Sequence, residues 1–183
     1  TLNQYYSPNF KPPIEDFYIT LTTHNAKAEL INNSALSDLP GTLIHFHAQI
    51  EGDFPEKGFP ADDRLSLKTG AQVMFIKNDS GADRKFFNGK LATIKKIETD
   101  GITVVDNNNA EELKCAKETW RNIRYNYDKE SDSIKEEELG SFTQYPIRLA
   151  YAITIHKSQG LTFDKAIIDA GASFAPGQEY VAL

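Results

Sequence analysis

The sequence has a single cysteine among 183 residues, Cys115, so no disulfide can form within the chain. That excludes a disulfide-stapled scaffold and points to a reducing, cytoplasmic setting. No apolar run approaches the roughly 18 residues that a membrane-spanning helix needs. No basic-then-apolar leader opens the chain either, so no membrane partner is expected. Positive charge is also in short supply: 20 Lys and Arg stand against 26 Asp and Glu, a net of −6. A wholesale basic nucleic-acid coat is thereby excluded. The strings G-x-S-x-G, H-E-x-x-H and G-x-x-x-x-G-K-[ST] do not occur, which removes the nucleophile elbow, the zinc-protease helix and the P-loop. His45 and His47 share a strand face but lie far in sequence from Cys115. No zinc-ligand spacing results, and no metal site is expected.

What the chain does have is enough apolar material, 40% with 11% aromatic residues, to bury a real core. Its length fits one ordinary domain or two small ones. It begins at Thr1 and stops at Leu183 inside an apolar pattern, which reads as a piece of something longer. Its charge is unevenly spread. Residues 64 to 97 hold eight basic side chains (Arg64, Lys68, Lys77, Arg84, Lys85, Lys90, Lys95, Lys96) against Asp79 and Asp83. Such a stripe either positions phosphates or is a solvated strand edge whose lysines discourage edge-to-edge pairing. The opposite bias, DKESDSIKEEE at 128 to 138, reads as an exposed hairpin tip.

Local patterns divide the chain into two textures. FYITLT at 17 to 22 is a strand, and Asn25 is placed to cap a helix running to about Asp38, with Ala28, Ile31 and Ala35 inward. TLIHFHAQI at 42 to 50 alternates as one strand, with Ile44, Phe46, Ala48 and Ile50 on the covered face. From residue 64 the chain becomes a series of short strand signals parted by Gly70, Asn88-Gly89, Asp100-Gly101 and Asn107 to Asn109, the pattern of a small barrel. PIRLAYAITIHKSQG at 146 to 160 alternates early and ends on a glycine cap, which predicts a change from strand to helix near Ala150. KAIIDA at 165 to 170 predicts a buried strand, and GQEYVAL at 177 to 183 a helix start.

Two polar clusters carry the chemistry. Thr154, His156, Lys157, Ser158, Gln159 and Gly160 follow an apolar run, and a helix over 150–159 would put Thr154 and Ser158 on one face. Hydroxyls, imidazole, ammonium and glycine suit phosphate oxygens. They equally suit a helix C-terminus dressed with cations and a glycine cap, and spacing alone favours that second reading. Thr22, Thr23, His24 and Asn25 sit at a strand-to-helix junction, where α/β sheets bind ligands and helix N–H groups hold anions. An N-cap with nothing bound is the alternative there. Trp120, Tyr125 and Tyr127 could stack on bases or line the barrel.

The string QYPIRLAYAITIHKSQGLTFDKAIID at 144 to 169 resembles motif V and its surroundings in superfamily 1 DNA helicases of the PIF and RecD branch. LTTHNAKAELIN at 21 to 32 is similar to that family's motif IV region. LKTGAQVMFIKND with FFNGKLATI, at 67 to 94, is similar to the SH3-like barrel that the family inserts into its second motor domain. FAPGQEYVAL at 174 to 183 resembles the opening of motif VI. The fold so implied is α/β: a second RecA-like helicase domain in two segments, 1–63 and 141–183, interrupted by a small SH3-like all-β barrel over 64–140. The resemblance implies an ATP-dependent DNA helicase in which Thr22, Thr23, His24, Asn25, Thr154, His156, Lys157 and Ser158 contact single-stranded DNA. It places Gln159, Gly160 and Gln178 beside the nucleotide cleft. It further implies that an N-terminal RecA-like domain of the same protein carries the Walker motifs that hold ATP and Mg²⁺. The motif VI arginine would follow Leu183, so the 183 residues alone are expected to hydrolyse no ATP and unwind no DNA. A non-catalytic nucleic-acid or protein binding module on a helicase-like scaffold is the alternative.

Overall fold

The structure, a computed structural model, describes residues 7, 10, 12, 13, 16–79, 81, 83–99, 101–128 and 132–169. The expected helix start at 177–183, and Gln178 within it, lie outside the described residues.

Strand β1 (Ile19–Thr22) leads into helix α1 (Asn25–Asp38). Its inward face is carried by Ala28 and Leu36, with Ile31 and Ala35 only partly covered. His24, not Asn25, takes the N-cap position with extended backbone (φ −125°, ψ 137°), and its side chain does not cap the helix. At the other end Lys68 reaches across to donate to the carbonyls of Ser37 (3.2 Å) and Leu39 (2.7 Å). A cation therefore closes the helix C-terminus although α1 has none of its own there.

The segment expected as one strand at 42–50 is two, β2 (Ile44–His47) and β3 (Gln49–Gly52). The chain changes partners at Ala48, whose N–H donates to Asp63 O. β2 pairs with β4 (Arg64–Leu67), whereas β3 pairs with β10 (Ser133–Gln144). Ile50 is consequently exposed rather than covered. Where β3 meets β10, Gly52 (φ +64°) and Gly140 pass without room for side chains. A Cβ on Gly140 would lie 2.5 Å from Glu51 O, and one on Gly52 would lie 2.3 Å from Leu139 O.

Strands β5 (Gln72–Phe75), β6 (Leu91–Glu98), β7 (Gly101–Asp106), β8 (Glu112–Cys115) and β11 (Ile147–Leu149) form an antiparallel sheet in the order β11-β5-β6-β7-β8. Strand β9 (Glu118–Asp128) pairs with β10 as a long hairpin. After β11 the chain does not turn helical at Ala150. It re-enters a sheet as β12 (Ala152–Thr154), and α2 (Ile155–Ser158) is a single turn. β12 and β13 (Ala166–Asp169) flank β1 in a parallel sheet ordered β12-β1-β13. β13, expected to be buried, alternates between exposed and half-covered positions.

Two cores result, and β5 feeds both because its side chains alternate in direction. Val73 and Phe75 join Leu65, Leu67, Ile94, Ile102, Val104 and Ile147 in the larger one, which extends to Cys115. Burial there pushes the Cys115 thiol up to about 12. Met74 turns the other way to join Ile19, Leu21, Ala150, Ile153 and Ile155 beneath the parallel sheet. Gln72, also on that side, donates from its amide nitrogen to Tyr18 O (3.0 Å) and Ala150 O (2.7 Å). One buried side chain thus ties the antiparallel sheet to the residues that lead into β1 and β12 at the amino end of the parallel one. No described helix is long and apolar enough to cross a membrane.

Candidate nucleic-acid interface

Both polar clusters arrive at one edge through strand register. Thr22 and Thr154 are paired residues at the carboxyl ends of adjacent parallel strands. Asp169, at the end of β13, pairs with Thr22 from the other side. Lys27, on the first turn of α1, forms an ion pair with Asp169 at 2.5 Å. The carboxyl edge of a parallel sheet is where α/β proteins place ligands. Here the N-terminus of a 14-residue helix opens onto it, with no acidic residue in its first turn to neutralise the free N–H groups.

The hydroxyls differ in what they are free to do. Ser158 Oγ is committed to Ile155 O at 2.7 Å. Thr23 Oγ1 lies 2.7 Å from His24 Nδ1. Thr22 is fully buried, and its Oγ1 finds no hydrogen-bond partner among the described residues. An unpaired buried hydroxyl costs stability, and this one lies at the strand end on the edge where parallel sheets bind ligands. Thr154 is a strand residue and the N-cap of α2, so it does not share a helical face with Ser158 as the sequence pattern predicted. His156 and Lys157 are exposed on the single turn of α2. Gln159 is exposed, and Gly160 (φ +77°) takes the left-handed conformation that closes the turn, where Leu161 N donates to Ser158 O.

Two residues that the sequence reading missed support this edge. Asn32 lies on the buried stripe of α1 between Ala28 and Leu36. Its Oδ1 accepts from Tyr151 N (3.0 Å) and Ala152 N (2.9 Å), and its Nδ2 donates to Ala152 O (2.8 Å). These bonds fasten the strand that presents Thr154. A polar residue on an otherwise apolar helical stripe was the available signal. Arg148 donates from Nη2 to Pro60 O at 3.0 Å while its Nε has no partner among the described residues. It shares a cleft of about 140 Å³ with Asn25, Asp62, Thr154 and Lys157. Burial lowers the Arg148 guanidinium from its ordinary value and the nearby Asp62 opposes that shift. A lone arginine inside the run PIRLAYA was its signal.

The basic stripe at 64 to 97 is largely answered by carboxylates. Lys77 pairs with Glu118 (2.7 Å) and Lys90 with Asp106 (2.7 Å). Lys95 pairs with Glu112 and Lys96 with Glu98. Lys85 lies 3.7 Å from Asp83, and Arg64 donates to His45 at 3.2 Å. Phosphates would have to compete with these partners along most of its length. Among the described residues no cluster of His, Cys, Asp or Glu could hold a metal ion.

A helix N-terminus, an unsatisfied hydroxyl and exposed cations thus lie together at the carboxyl edge of a parallel α/β sheet, an arrangement chemically suited to anions. No family model matches the chain. It is, however, 35% identical over 209 residues to the ATP-dependent DNA helicase Pif1 of a Psychrobacter species, an alignment covering 89% of this chain and 31% of that protein. The solved structure of unliganded Pif1 from a Bacteroides species matches it with a TM-score of 0.83 and 42% identity, over 92% of this chain and 38% of that one. The Bacteroides Pif1 helicase in complex with ADP-AlF3 and ssDNA matches with a TM-score of 0.77 and 39% identity, over 99% and 41% of the two chains. The chain is homologous to Pif1 helicases along most of its own length, a segment that spans 31% of the length of the curated relative.

Proposed function

We propose that this chain is the C-terminal part of an ATP-dependent DNA helicase or translocase, binding single-stranded DNA along the carboxyl edge of its parallel sheet. In this reading β1, α1, β12 and β13 belong to a second RecA-like domain with segments in 1–63 and 141–183. An SH3-like all-β insertion occupies 64–140, and strand pairing draws residues 44–52 and 147–149 onto it. Thr22, Thr23, His24 and Asn25, with Thr154, His156, Lys157 and Ser158, face the strand's phosphates. Gln159 and Gly160, joined by Gln178, lie toward a nucleotide cleft completed by an N-terminal RecA-like domain of the same protein. ATP bound there supplies the free energy of phosphoryl transfer. Exposed Gln159 and the open Gly160 turn suit a phosphate-bearing ligand, whereas Mg²⁺ would be held by the nucleotide and the other domain. The lone buried cysteine fits a cytoplasmic setting.

The observation that carries this reading is the Thr22–Thr154 register, which brings two clusters distant in sequence to one edge. What this chain's own residues do there is hold and release. The N–H groups of α1 give short-range bonds to phosphate oxygens, and Lys157 adds a solvent-screened charge. Ser158 Oγ, bonded to Ile155 O, holds the turn that presents Lys157. A turn as short as α2 links the strand-facing residues to Gln159 and Gly160 within a few residues, a route for coupling strand contact to the nucleotide side.

The test is single-strand binding by wild type and Lys157→Ala across a salt series. A loss of about fivefold to tenfold, with the slope of log affinity against log salt reduced by about 1, is expected. An unchanged slope sinks the assignment of this edge. The alternative reading is a non-catalytic nucleic-acid or protein binding module on a helicase-like scaffold. ATPase of the whole protein that contains this segment separates the two: DNA-stimulated turnover that collapses in His156→Ala supports the motor, and its absence supports the module. The 183 residues alone are expected to show no turnover.

A further inference from the structure

Apart from the carboxyl edge, the loop between β5 and β6 forms an open cavity of about 550 Å³ lined by Asn78, Asp79, Arg84, Phe86 and Phe87. That volume is in the range that holds a small organic ligand. The described residues of the loop are well braced. Phe86 stacks on core Phe75 with ring centroids 4.1 Å apart and planes 11° from parallel. Asp79 accepts from Gly81 N and Lys85 N, both at 2.8 Å, and these two bonds hold its carboxyl below the usual carboxylate range. Asn88 N donates to Asn78 Oδ1 at 2.8 Å, which leaves the Asn78 amide NH₂ as a donor. Gly89 N is fixed to Phe75 O at 2.8 Å.

On this rigid frame Phe87 stands 55% exposed. Its ring is not there to complete the core, since Phe86 already does so. Lys90 Nζ lies 5.8 Å from its centroid while paired with Asp106. The loop also touches the segment just beyond the proposed single-strand track: a Cβ on Gly89 would meet Leu161 Cδ2 at 2.9 Å, and Leu161 lies four residues past Lys157. Phe87 therefore sits two residues, about 7 Å of chain, from a contact with the segment that carries His156 and Lys157. An exposed aromatic face, an amide donor, a carboxylate acceptor and a guanidinium around one cavity form a set that matches a nucleobase and its phosphate.

We propose that this cavity is a nucleobase subsite, in which Phe87 stacks on one base of a bound single strand, Asn78 and Asp79 meet the base edge, and Arg84 pairs with a phosphate. The inference rests on the reading of the carboxyl edge as a single-strand track and extends that track onto the antiparallel part of the molecule.

The experiment measures affinity for a fluorescein-labelled oligo-dT strand with wild type, Phe87→Ala, Phe87→Leu, Arg84→Gln and Lys157→Ala. Thermal melting is recorded for each protein. Phe87→Leu keeps an apolar side chain but no stacking face. Both Phe87 variants are expected to bind about tenfold more weakly at unchanged melting temperature and unchanged salt slope. Arg84→Gln should lower the salt slope by about 1. In Phe87→Trp, added oligo-dT should quench indole emission beyond the response of wild type, whose one tryptophan is Trp120. Wild-type affinity in Phe87→Leu, alongside weakened binding in Lys157→Ala, overturns the subsite and leaves the track standing. Absence of binding by wild type overturns both.

Discussion

The antiparallel and parallel parts of this chain solve opposite problems. The antiparallel part closes a large core around Val73, Phe75 and Ile147, and most of its lysines have carboxylate partners. The parallel part rests on a smaller cluster around Ile19, Leu21 and Ile153, and at its carboxyl edge the buried Thr22 hydroxyl has no partner among the described residues. Unsatisfied polarity is shared between them: among the described residues Arg148 Nε on β11 and Asn107 Nδ2 after β7 also lack partners. The parallel part is distinguished by where its unpaired hydroxyl lies, at the carboxyl edge. Polar groups left without partners in a folded protein cost free energy unless something binds them. The contrast is therefore one of core size and placement: the larger core closes the antiparallel part, and the carboxyl edge with its buried hydroxyl belongs to the parallel one.

The strongest way to break the contrast is Phe75→Ala. It removes a fully buried ring that also stacks on Phe86, and denaturant unfolding should report a loss of about 3–5 kcal/mol. A loss below about 1 kcal/mol would show that the larger core does not dominate. Asn32→Ala comes next. It strips three hydrogen bonds from the Tyr151–Ala152 backbone, and a loss of about 2 kcal/mol is expected. Unlike Phe75→Ala it should also weaken single-strand binding at temperatures where the protein is still folded, because β12 presents Thr154. A third effect is confined to alkaline solution. The Cys115 thiol ionises only near about 12 when folded, pushed up by burial and then by Glu118. The unfolded chain therefore releases that proton first, so stability present below the ordinary thiol range is lost progressively as pH rises toward about 12. Cys115→Ala should flatten that alkaline decline in a pH series of unfolding curves. The smallest stability effect belongs to Thr22→Val, which swaps an unpaired hydroxyl for a methyl of similar shape. Unfolding free energy should stay within about 0.5 kcal/mol of wild type or rise, while single-strand affinity falls. A clear destabilisation would mean that the hydroxyl serves the fold.

Legibility followed how local each determinant is. Helix α1 was readable over Asn25–Asp38 because capping context, apolar spacing and Pro40-Gly41 all act within the segment. The short strands from 64 to 128 were readable from alternation and turn residues. What misled were runs whose fate depends on distant partners. The apolar stretch before Thr154 has β-branched Ile153 and Thr154, but its pairing with β1, at the other end of the chain, decides that it is a strand. The break at Ala48 likewise follows from β2 and β3 choosing different partners. Both site clusters were named from residue type, whereas their adjacency exists only in the register of parallel strands. The charge stripe looked free in sequence because Lys77 and Lys95 meet Glu118 and Glu112 only once the strands align.

The pairing of Lys90 with Asp106 carries a consequence for temperature. Both groups are largely withdrawn from water, 14% and 2% exposed, so their attraction is offset by the loss of hydration. Hydration of charged groups becomes less favourable as temperature rises, so the offset shrinks on warming. The strut beneath Phe87 therefore loses less to desolvation as temperature rises, and its relative contribution to the loop grows on warming.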